Sequence, residues 1–263
     1  MKISIYILAF NEVEKIQDCI NSVLWADEII VADSFSTDGT SEIAKEMGAT
    51  VVNIPFNGYG DLRNQAIQHC SGEWIFSLDS DERCTIEVRD EVMRLIGNAP
   101  LDIYRIPRKN FFMGKWIKYS GWYPNFRQPQ LFKNGQMNYT SDSVHEGYIN
   151  HSNKEIGTIT NAIWQFPFKN TEELMAKANR YSSLGVITLQ KKSATGSIFK
   201  AFLHGLWSFF KHYILKLGLL DGGPGFVIAF GNFEGTFYRY IKLTEKQNNW
   251  KTPIVKPIYS DSK

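Results

Sequence analysis

Three carboxylates stand together in the stretch EWIFSLDSDE, residues 73–82, directly after a run of apolar residues. They are Asp79, Asp81 and Glu82, and such clustered negative charge costs stability unless a cation or a proton neutralises it. Because side chains alternate along a strand, we expect Asp79 and Asp81 to face one side and Ser80 the other. Hard oxygen ligands favour Mg²⁺ or Mn²⁺, which usually complete their shells with phosphate oxygens and water. The pattern predicts a divalent ion that carries a phosphorylated substrate, although solvated surface loops often contain Asp-x-Asp as well.

The elements that must position these carboxylates alternate between strand and helix through the first hundred residues. The predicted strands are ISIYILAF, EIIVAD, TVVNI and WIFSL, and the predicted helices begin near Val13, Ser41, Asp61 and Ile86. This alternation is typical of an α/β fold with a parallel sheet, in which ligands bind beyond the carboxyl ends of the strands. The polar segments AFNE, DSFSTDG and DSDE each follow a strand, so we expect them along one rim.

The pattern changes after residue 100. Shorter strands and hairpins are predicted there, with a strong turn signal at Asn134-Gly135, followed by a helix over roughly 171–191. We therefore predict a catalytic domain over residues 1–165 and a helical extension over residues 166–263.

Charge is distributed unevenly along the chain. Residues 1–100 hold 7 Lys and Arg against 17 Asp and Glu, a net −10, and residues 101–263 hold 22 against 10, a net +12. This asymmetry favours two different partners over mere unevenness of the solvated surface. The three cysteines are odd in number and dispersed, and the apolar start is too short for a secretory signal. Both features favour a cytoplasmic protein with reduced thiols.

The loop VADSFSTDGT places Asp33 at the end of another predicted strand. Asp33 or Ser34 would accept hydrogen bonds from a base or ribose, and for Asp33 a purely structural role stays open. Asp38 and Thr40 are more typical of residues that cap the next helix.

Four segments, ILAFNEVEKI, VADSFSTDGT, GYGDLRNQAI and SGEWIFSLDSDE, together resemble the family 2 glycosyltransferases in order and spacing. Within that family, WYPNFRQPQLF, DSVHEG and the aromatic tail resemble the branch of lipopolysaccharide core β-1,4-glucosyltransferases. The resemblance covers most of the chain and is strongest through residue 150. It implies a GT-A fold, which is a Rossmann-like, mostly parallel sheet flanked by helices. It also implies a UDP-sugar donor, a Mg²⁺ or Mn²⁺ cofactor and inversion at the anomeric carbon.

The resemblance carries functional roles to individual positions of this chain. Arg63 and Asn64 would approach the donor, Asp79 would bond the ribose or sugar, and Asp81 would coordinate the metal. Many family members have a second Asp where this chain has Ser34. The predicted donor-binding residues are Ala9, Phe10, Asn11, Glu12, Asp33, Ser34, Arg63, Asn64, Asp79 and Ser80, and the predicted metal ligands are Asp81 and Asp79.

The predicted catalytic residues follow the metal motif. The segment SDSVHEG offers Asp142, His145 and Glu146. Glu146 is predicted to be the general base that takes the acceptor proton, with Asp142 as the alternative and His145 as a catalytic or merely positioning histidine. Arg127 would help the metal to stabilise negative charge on the leaving phosphate oxygens, or is a surface charge.

The segment 198–220 is predicted to form an amphipathic helix. On a wheel of about 100° per residue, a basic polar arc opposes an apolar face, as an interfacial helix on an anionic membrane surface requires. The resemblance supports this interpretation, because a lipid-linked acceptor sits at the inner leaflet; the alternative is a helix packed on the protein itself. The arc comprises Lys200, His204, Ser208, Lys211, His212 and Lys216, and the apolar face includes Phe199, Phe202, Leu203, Leu206, Trp207, Phe209, Phe210, Tyr213, Ile214 and Leu217.

The leading hypothesis is an inverting glycosyltransferase at the cytoplasmic face of the inner membrane. It would move glucose from a UDP-sugar to a lipid-linked saccharide such as the lipopolysaccharide inner core, with no nucleic-acid partner. Another sugar and a capsule or O-antigen acceptor stay open. Two other classes are an Asp-dependent phosphohydrolase of the haloacid-dehalogenase type and a non-catalytic nucleotide-sugar-binding adaptor. The phosphohydrolase motif belongs on a first strand, whereas Asp79 and Asp81 follow the fourth.

Overall fold

The computed structural model describes residues 1–124, 126, 128–140, 147–248 and 250. These residues form two compact units. The first comprises residues 1–118 and 122–167, and the second comprises residues 119–121 and the chain from residue 168 onward. The functions predicted for residues 1–165 and 166–263 stay predictions.

The first unit contains all the strands found in the described residues. They are β1 (Ile3–Ala9), β2 (Glu28–Asp33), β3 (Thr50–Asn53), β4 (Trp74–Asp79), β5 (Glu82–Arg83), β6 (Ile103–Arg105), β7 (Arg108–Phe112), β8 (Lys115–Trp116), β9 (Leu131–Lys133), β10 (Met137–Tyr139), β11 (Tyr148–Asn150), β12 (Gly157–Thr158) and β13 (Ile163–Gln165). Its helices are α1 (Val13–Asn21), α2 (Thr40–Glu46), α3 (Tyr59–Gln68) and α4 (Ile86–Gly97).

Seven strands form the main sheet in the order β12-β6-β9-β4-β1-β2-β3. Neighbours among β4, β1, β2 and β3 are parallel, while β9 runs antiparallel to both β4 and β6. Every residue of β1 is buried, because this central strand is covered on both faces. The predicted alternation of strands and helices is thereby confirmed, and the carboxyl ends of β1, β2 and β4 lie at one edge.

Helix α4 illustrates how local sequence sets an element of this unit. The Thr85 side chain accepts a hydrogen bond from the backbone N–H of Val88 and so caps the helix. Val88, Val92 and Ile96 recur every four residues and are buried in the core under the sheet. The observed helix begins at Ile86, where the sequence pattern predicts its start.

A second sheet, β5-β13-β7-β8, and a two-stranded sheet, β10-β11, complete the first unit. Gln165 of β13 lies opposite Glu82 of β5 and Asn110 of β7. The second sheet therefore begins directly after the carboxyl end of β4, so it shares the acidic segment with the main sheet.

The second unit is helical. It contains α5 (Thr171–Lys191), α6 (Ile198–Phe210), a π-helical turn (Lys211–Leu215), a 3₁₀ turn (Gly218–Asp221) and α7 (Gly223–Asn248). The fold-class prediction is confirmed as a mostly parallel sheet flanked by helices, with helices following it in the chain. None of the helices in the described part of the chain combines the length and apolar character needed to cross a bilayer.

The single helix predicted over 198–220 is wrong in its second half. After Phe210 the chain continues as the π-helical turn, and Leu217 then adopts a left-handed conformation with φ 55° that ends it. The wheel of 100° per residue therefore does not hold beyond Phe210.

The long helix α7 was absent from the predicted elements. Its signal is a row of rings at spacings of four, three and four residues, which stack with centroids 5.8–6.3 Å apart. These rings belong to Phe226, Phe230, Phe233 and Phe237.

Candidate active site

The loops that follow β1 and β2 are joined to each other by hydrogen bonds. The backbone N–H of Asn11 donates to Ser36 Oγ at 2.8 Å, and Asn11 Oδ1 accepts from the N–H of Thr37 at 2.9 Å. The N–H of Glu12 donates to Thr40 Oγ1 at 2.8 Å. Asp38 accepts from the N–H groups of Val13 and Thr40, at 3.0 Å each, so it joins the starts of two helices. Two of the predicted rim segments therefore form one rigid wall.

Asp33 is almost fully buried, at 1% exposure, and its two oxygens accept hydrogen bonds from its own loop and from the start of α2. Oδ2 accepts from the Ser36 N–H at 2.9 Å and from Ser41 Oγ at 2.8 Å, and Oδ1 accepts from Ser36 Oγ. Asp33 therefore stabilises the conformation of this loop. Its role in binding the nucleotide-sugar stays a prediction.

Ser34 and two nearby aromatic residues carry side-chain groups that make no hydrogen bond within the loop or are exposed to solvent. The Ser34 N–H donates to the carbonyl of Ala9, which ties the ends of β1 and β2. Its buried hydroxyl has no hydrogen-bond partner among the described residues. Phe10 and Phe35 are more than half exposed, and Phe35 has a φ of 62°, which is strained for an aromatic residue. Phe35 was not among the predicted site residues, although an aromatic residue in a turn-forming loop was its signal.

Glu82 is fully buried at the start of β5, so this carboxylate of the acidic segment is structural. Its Oε1 accepts from the Arg108 guanidinium, and its Oε2 accepts from the Gln130 amide at 2.9 Å. Oε2 also accepts from the backbone N–H of Asp79 at 3.0 Å. Glu82 therefore joins β5, β7 and the residue before β9 to the end of β4.

Strand alternation does not relate Asp79 to Asp81, contrary to our expectation. Strand β4 ends at Asp79, and Ser80 and Asp81 form a turn before β5. Ser80 is buried, and its N–H donates to the carbonyl of Leu8 at 3.2 Å. The register with β1 thus extends one residue beyond the strand, and the chain then turns because Glu82 is drawn into the core.

Arg63 connects the end of β4 with strand β10. Its guanidinium donates to Asp79 Oδ1 at 2.8 Å and to Ser77 Oγ at 2.9 Å. The same guanidinium lies 5.4 Å from the ring centroid of Tyr139. Burial raises the pKa of Tyr139, and the charge of Arg63 opposes part of that rise. Asp79 and Tyr139 are therefore held against one shared cation.

The side chain of Asn64 fixes the same strand by bonding to the backbone of Tyr139. Its side-chain amide donates to the carbonyl of Tyr139 at 2.8 Å and accepts from the N–H of Tyr139 at 2.9 Å. Beyond Tyr139, the N–H of Thr140 donates to the carbonyl of Gly147 at 3.0 Å, and the N–H of Gly147 donates to Thr140 Oγ1 at 2.9 Å. The ends of the segment that connects β10 to β11 are thus anchored beside α3; the donor role of Asn64 stays a prediction.

The four predicted catalytic residues lie outside the described residues. They are Arg127, Asp142, His145 and Glu146. Their roles therefore stay predictions.

Asp81 is held by the end of β13. The Gln165 side-chain amide donates to Oδ1 and Oδ2 of Asp81, at 3.2 Å each, and the Phe166 N–H donates to the carbonyl of Asp81 at 2.8 Å. Sequence patterns gave no signal for Gln165, because it is distant from Asp81 in sequence and lies in a short strand that was not predicted.

The residues present fit a divalent ion that takes most of its ligands from the substrate and from water. Among the described residues, no three carboxylate, histidine or cysteine side chains are grouped closely enough to hold a metal ion. Mg²⁺ and Mn²⁺ are nevertheless commonly held by one or two carboxylates together with substrate phosphates and water. The oxygen donors of Asp81 and Asp79 suit such a site.

Sequence comparison matches residues 4–150 to the family described as Glycosyl transferase family 2. An uncharacterized glycosyltransferase of Rickettsia bellii (strain RML369-C) is 31% identical over 263 residues, which cover 93% of this chain and 86% of the relative. The lipopolysaccharide core biosynthesis glycosyltransferase LpsC of Rhizobium meliloti (strain 1021) is 29% identical over 196 residues, 70% of each chain. The match to the family spans more than half of the chain, so this protein belongs to the family 2 glycosyltransferases.

A solved structure shows the same fold. The structure of S. aureus TarS 1-349 in complex with UDP-GlcNAc has a TM-score of 0.51 and 15% identity, and the match covers 95% of this chain and 92% of that chain. The predictions of the family and of a GT-A-like fold are confirmed.

The geometry of Glu82 predicts a large stability effect. Replacing Glu82 by Ala should lower the free energy of unfolding by about 3–5 kcal/mol, because Arg108 would remain buried without its counter-charge. Urea denaturation followed by circular dichroism measures this loss. The matched control is Glu73→Ala, which removes an exposed carboxylate at the other end of β4. Equal stability of the two variants would contradict a structural role for Glu82.

Proposed function

We propose that this family 2 glycosyltransferase is a metal-dependent, inverting enzyme that transfers a sugar from a UDP-sugar to a glycan acceptor. One observation carries the proposal: Arg63 contacts both Asp79 and Tyr139. It therefore holds the carboxylate predicted to bind the donor close to the strand that leads into the segment with the predicted base.

The donor side of the proposal rests on the rim. The joined loops after β1 and β2 supply a rigid wall, and Ser34 adds a buried hydroxyl with no partner in the described residues. Exposed rings at Phe10 and Phe35 stand beside these groups in the chain and suit a flat base. The UDP-GlcNAc complex of TarS, which shares the fold, makes uridine nucleotides the first donors to test.

The chemistry would be divided among separate groups. Glu146, or Asp142 in its place, would take the proton from the acceptor hydroxyl as that oxygen attacks the anomeric carbon. Asp79, oriented by Arg63, would bond the ribose or the sugar of the donor. Asp81 and Asp79 would hold a bound Mg²⁺ or Mn²⁺, which would supply electrostatic stabilisation of the charge that develops on the leaving diphosphate. Attack opposite the leaving group would give an inverted product.

The helical unit favours an acceptor at a membrane surface. The buried residues of α6 are Ala201 and Gly205, whereas Phe199 and Trp207 on its predicted apolar face are 70% and 58% exposed. The face predicted from the sequence is therefore left largely uncovered, which supports the interfacial interpretation over packing on the protein itself.

Positive charge accompanies these apolar side chains. Burial and the neighbouring Lys211 lower the pKa of Lys216, and burial also lowers the pKa of His212. In the described part of the chain, no carboxylate lies within ion-pair distance of Lys211 or Lys216. Anionic headgroups would relieve this crowding of like charge. We therefore propose peripheral contact with the cytoplasmic face of the inner membrane.

The similarity to LpsC supports a lipopolysaccharide acceptor. Together with the resemblance to core β-1,4-glucosyltransferases, it favours glucose as the transferred sugar and a lipid-linked inner-core saccharide as the acceptor.

Donor and metal binding are tested together by thermal unfolding. UDP-sugars with Mn²⁺ should raise the melting temperature, because a ligand at 100 times its Kd stabilises the folded state by about 2.7 kcal/mol. GDP- and dTDP-sugars serve as the comparison. The Mn²⁺-dependent part of the shift should vanish in Asp81→Asn and persist in the control Glu73→Gln. A wild-type protein that no uridine nucleotide stabilises would contradict the proposed donor.

The general base is tested by two carboxylate replacements. Glu146→Gln should lower the rate of sugar transfer by a factor of about 10²–10⁴ while UDP binding is kept, because only proton removal is lost. Asp142→Asn is the matched control and should retain transfer. A normal rate in both variants would contradict a carboxylate base in this segment, and loss in Asp142→Asn alone would move the role to Asp142.

Membrane contact is tested by sedimentation with vesicles of phosphatidylglycerol and phosphatidylcholine. Replacing both Trp207 and Phe210 by Ser should weaken binding about tenfold or more, because burying each large apolar side chain contributes about 1.5–3 kcal/mol. Replacing Leu24 and Met93 by Ser, two exposed apolar residues of the first unit, is the matched control. An equal loss in both double variants would place the contact elsewhere.

A further inference from the structure

Gln165 is a buried polar residue that neither the family resemblance nor the sequence pattern assigned. It is 4% exposed at the end of β13, and its amide Nε2 lies 3.2 Å from both carboxylate oxygens of Asp81. We propose that Gln165 is a positioning residue that orients the Asp81 carboxylate for the divalent ion and the diphosphate of the donor. The proposal rests on the function proposed above.

The surrounding sheet makes Gln165 a rigid support. Strand β13 is hydrogen-bonded on both sides, antiparallel to β5 and parallel to β7. The next residue, Phe166, donates its N–H to the carbonyl of Asp81 at 2.8 Å. Two consecutive residues therefore fix both the backbone and the side chain of Asp81, which otherwise lies in a turn.

The chemistry of the amide suits the task. A neutral N–H donor orients a carboxylate without itself adding a positive charge that would compete with a bound cation. Mg²⁺ in particular demands nearly ideal octahedral geometry, so the direction of each protein ligand matters. Groups that hold metal ligands in this way are a recurrent part of metal sites.

The other end of the amide gives independent support. The Oε1 atom of Gln165 is buried and has no hydrogen-bond partner among the described residues. Folded proteins rarely leave such an acceptor unsatisfied. Rotating the amide would place Oε1 against the Asp81 oxygens, so the assignment of its two ends is set by the carboxylate. A water molecule or a hydroxyl group that arrives with the ion and the nucleotide-sugar would donate the missing hydrogen bond to Oε1.

A second buried glutamine provides a matched control. Gln130 is 3% exposed, and its amide donates to Glu82 and to the carbonyl of Ser77. Gln165→Met and Gln130→Met each remove one buried amide of the same size. Only the first touches Asp81, and both variants are expected to lose stability.

Binding of Mn²⁺ to the full-length protein in the presence of UDP is measured by the loss of the free Mn²⁺ signal in electron paramagnetic resonance. Gln165→Met should raise the Mn²⁺ concentration for half-saturation by about 10–100-fold. Gln130→Met removes an amide that donates to Glu82 and not to Asp81, so it should change this concentration far less. Unfolding measurements on both variants separate this effect from lost stability.

The outcomes distinguish this inference from the proposed function. Wild-type affinity in a folded Gln165→Met protein would overturn the inference, as would an equal loss in Gln130→Met. Failure of the wild-type protein itself to bind Mn²⁺ with UDP would instead overturn the metal-dependent function on which the inference rests.

Discussion

The buried Glu82 carboxylate is the constraint that fixes the acidic segment at the end of β4, where Asp79 and Asp81 lie. It accepts hydrogen bonds from Arg108, from Gln130 and from the N–H of Asp79, so it joins the second sheet to the end of β4. A buried carboxylate is tolerable only with such partners. By drawing residue 82 into the core, the pair with Arg108 ends the strand at Asp79 and leaves Asp81 in the turn that precedes β5.

The three carboxylates of one short segment consequently have three different environments. Glu82 is neutralised by a buried arginine, and Asp79 by Arg63, which is held in turn against Tyr139. Asp81 receives the neutral amide of Gln165. The negative charge clustered in this segment is thus divided between a buried ion pair at Glu82, a second ion pair at Asp79, and Asp81, the residue proposed to hold a cation. The proposed transfer needs positive charge near the leaving diphosphate, and a cation held at Asp81 would supply it.

The sequence predicted most of the first unit, because its strands are apolar runs and its helices have regular apolar spacing. Helix α4 begins at the predicted residue, and the rim was found because the carboxyl ends of parallel strands lie together. The roles of Glu82 and Asp33 could not be read, because their partners, such as Arg108 and Ser41, are set by tertiary packing. Gln165 was missed for the same reason.

The helical unit was less predictable. Local periodicity located α5 and the start of α6, but it gave no signal for the π-helical turn that follows Phe210. The exposed face of α6 was predicted from its pattern, whereas α7 was overlooked because its phenylalanines lie among glycines.

The most direct measurement is anomalous diffraction at the manganese edge from crystals soaked with Mn²⁺ and UDP. We expect one strong peak about 2 Å from an Asp81 oxygen and from the diphosphate, with Glu82 still paired to Arg108. A peak that touches neither Asp81 nor Asp79, or a nucleotide bound away from the ends of β1, β2 and β4, would contradict it.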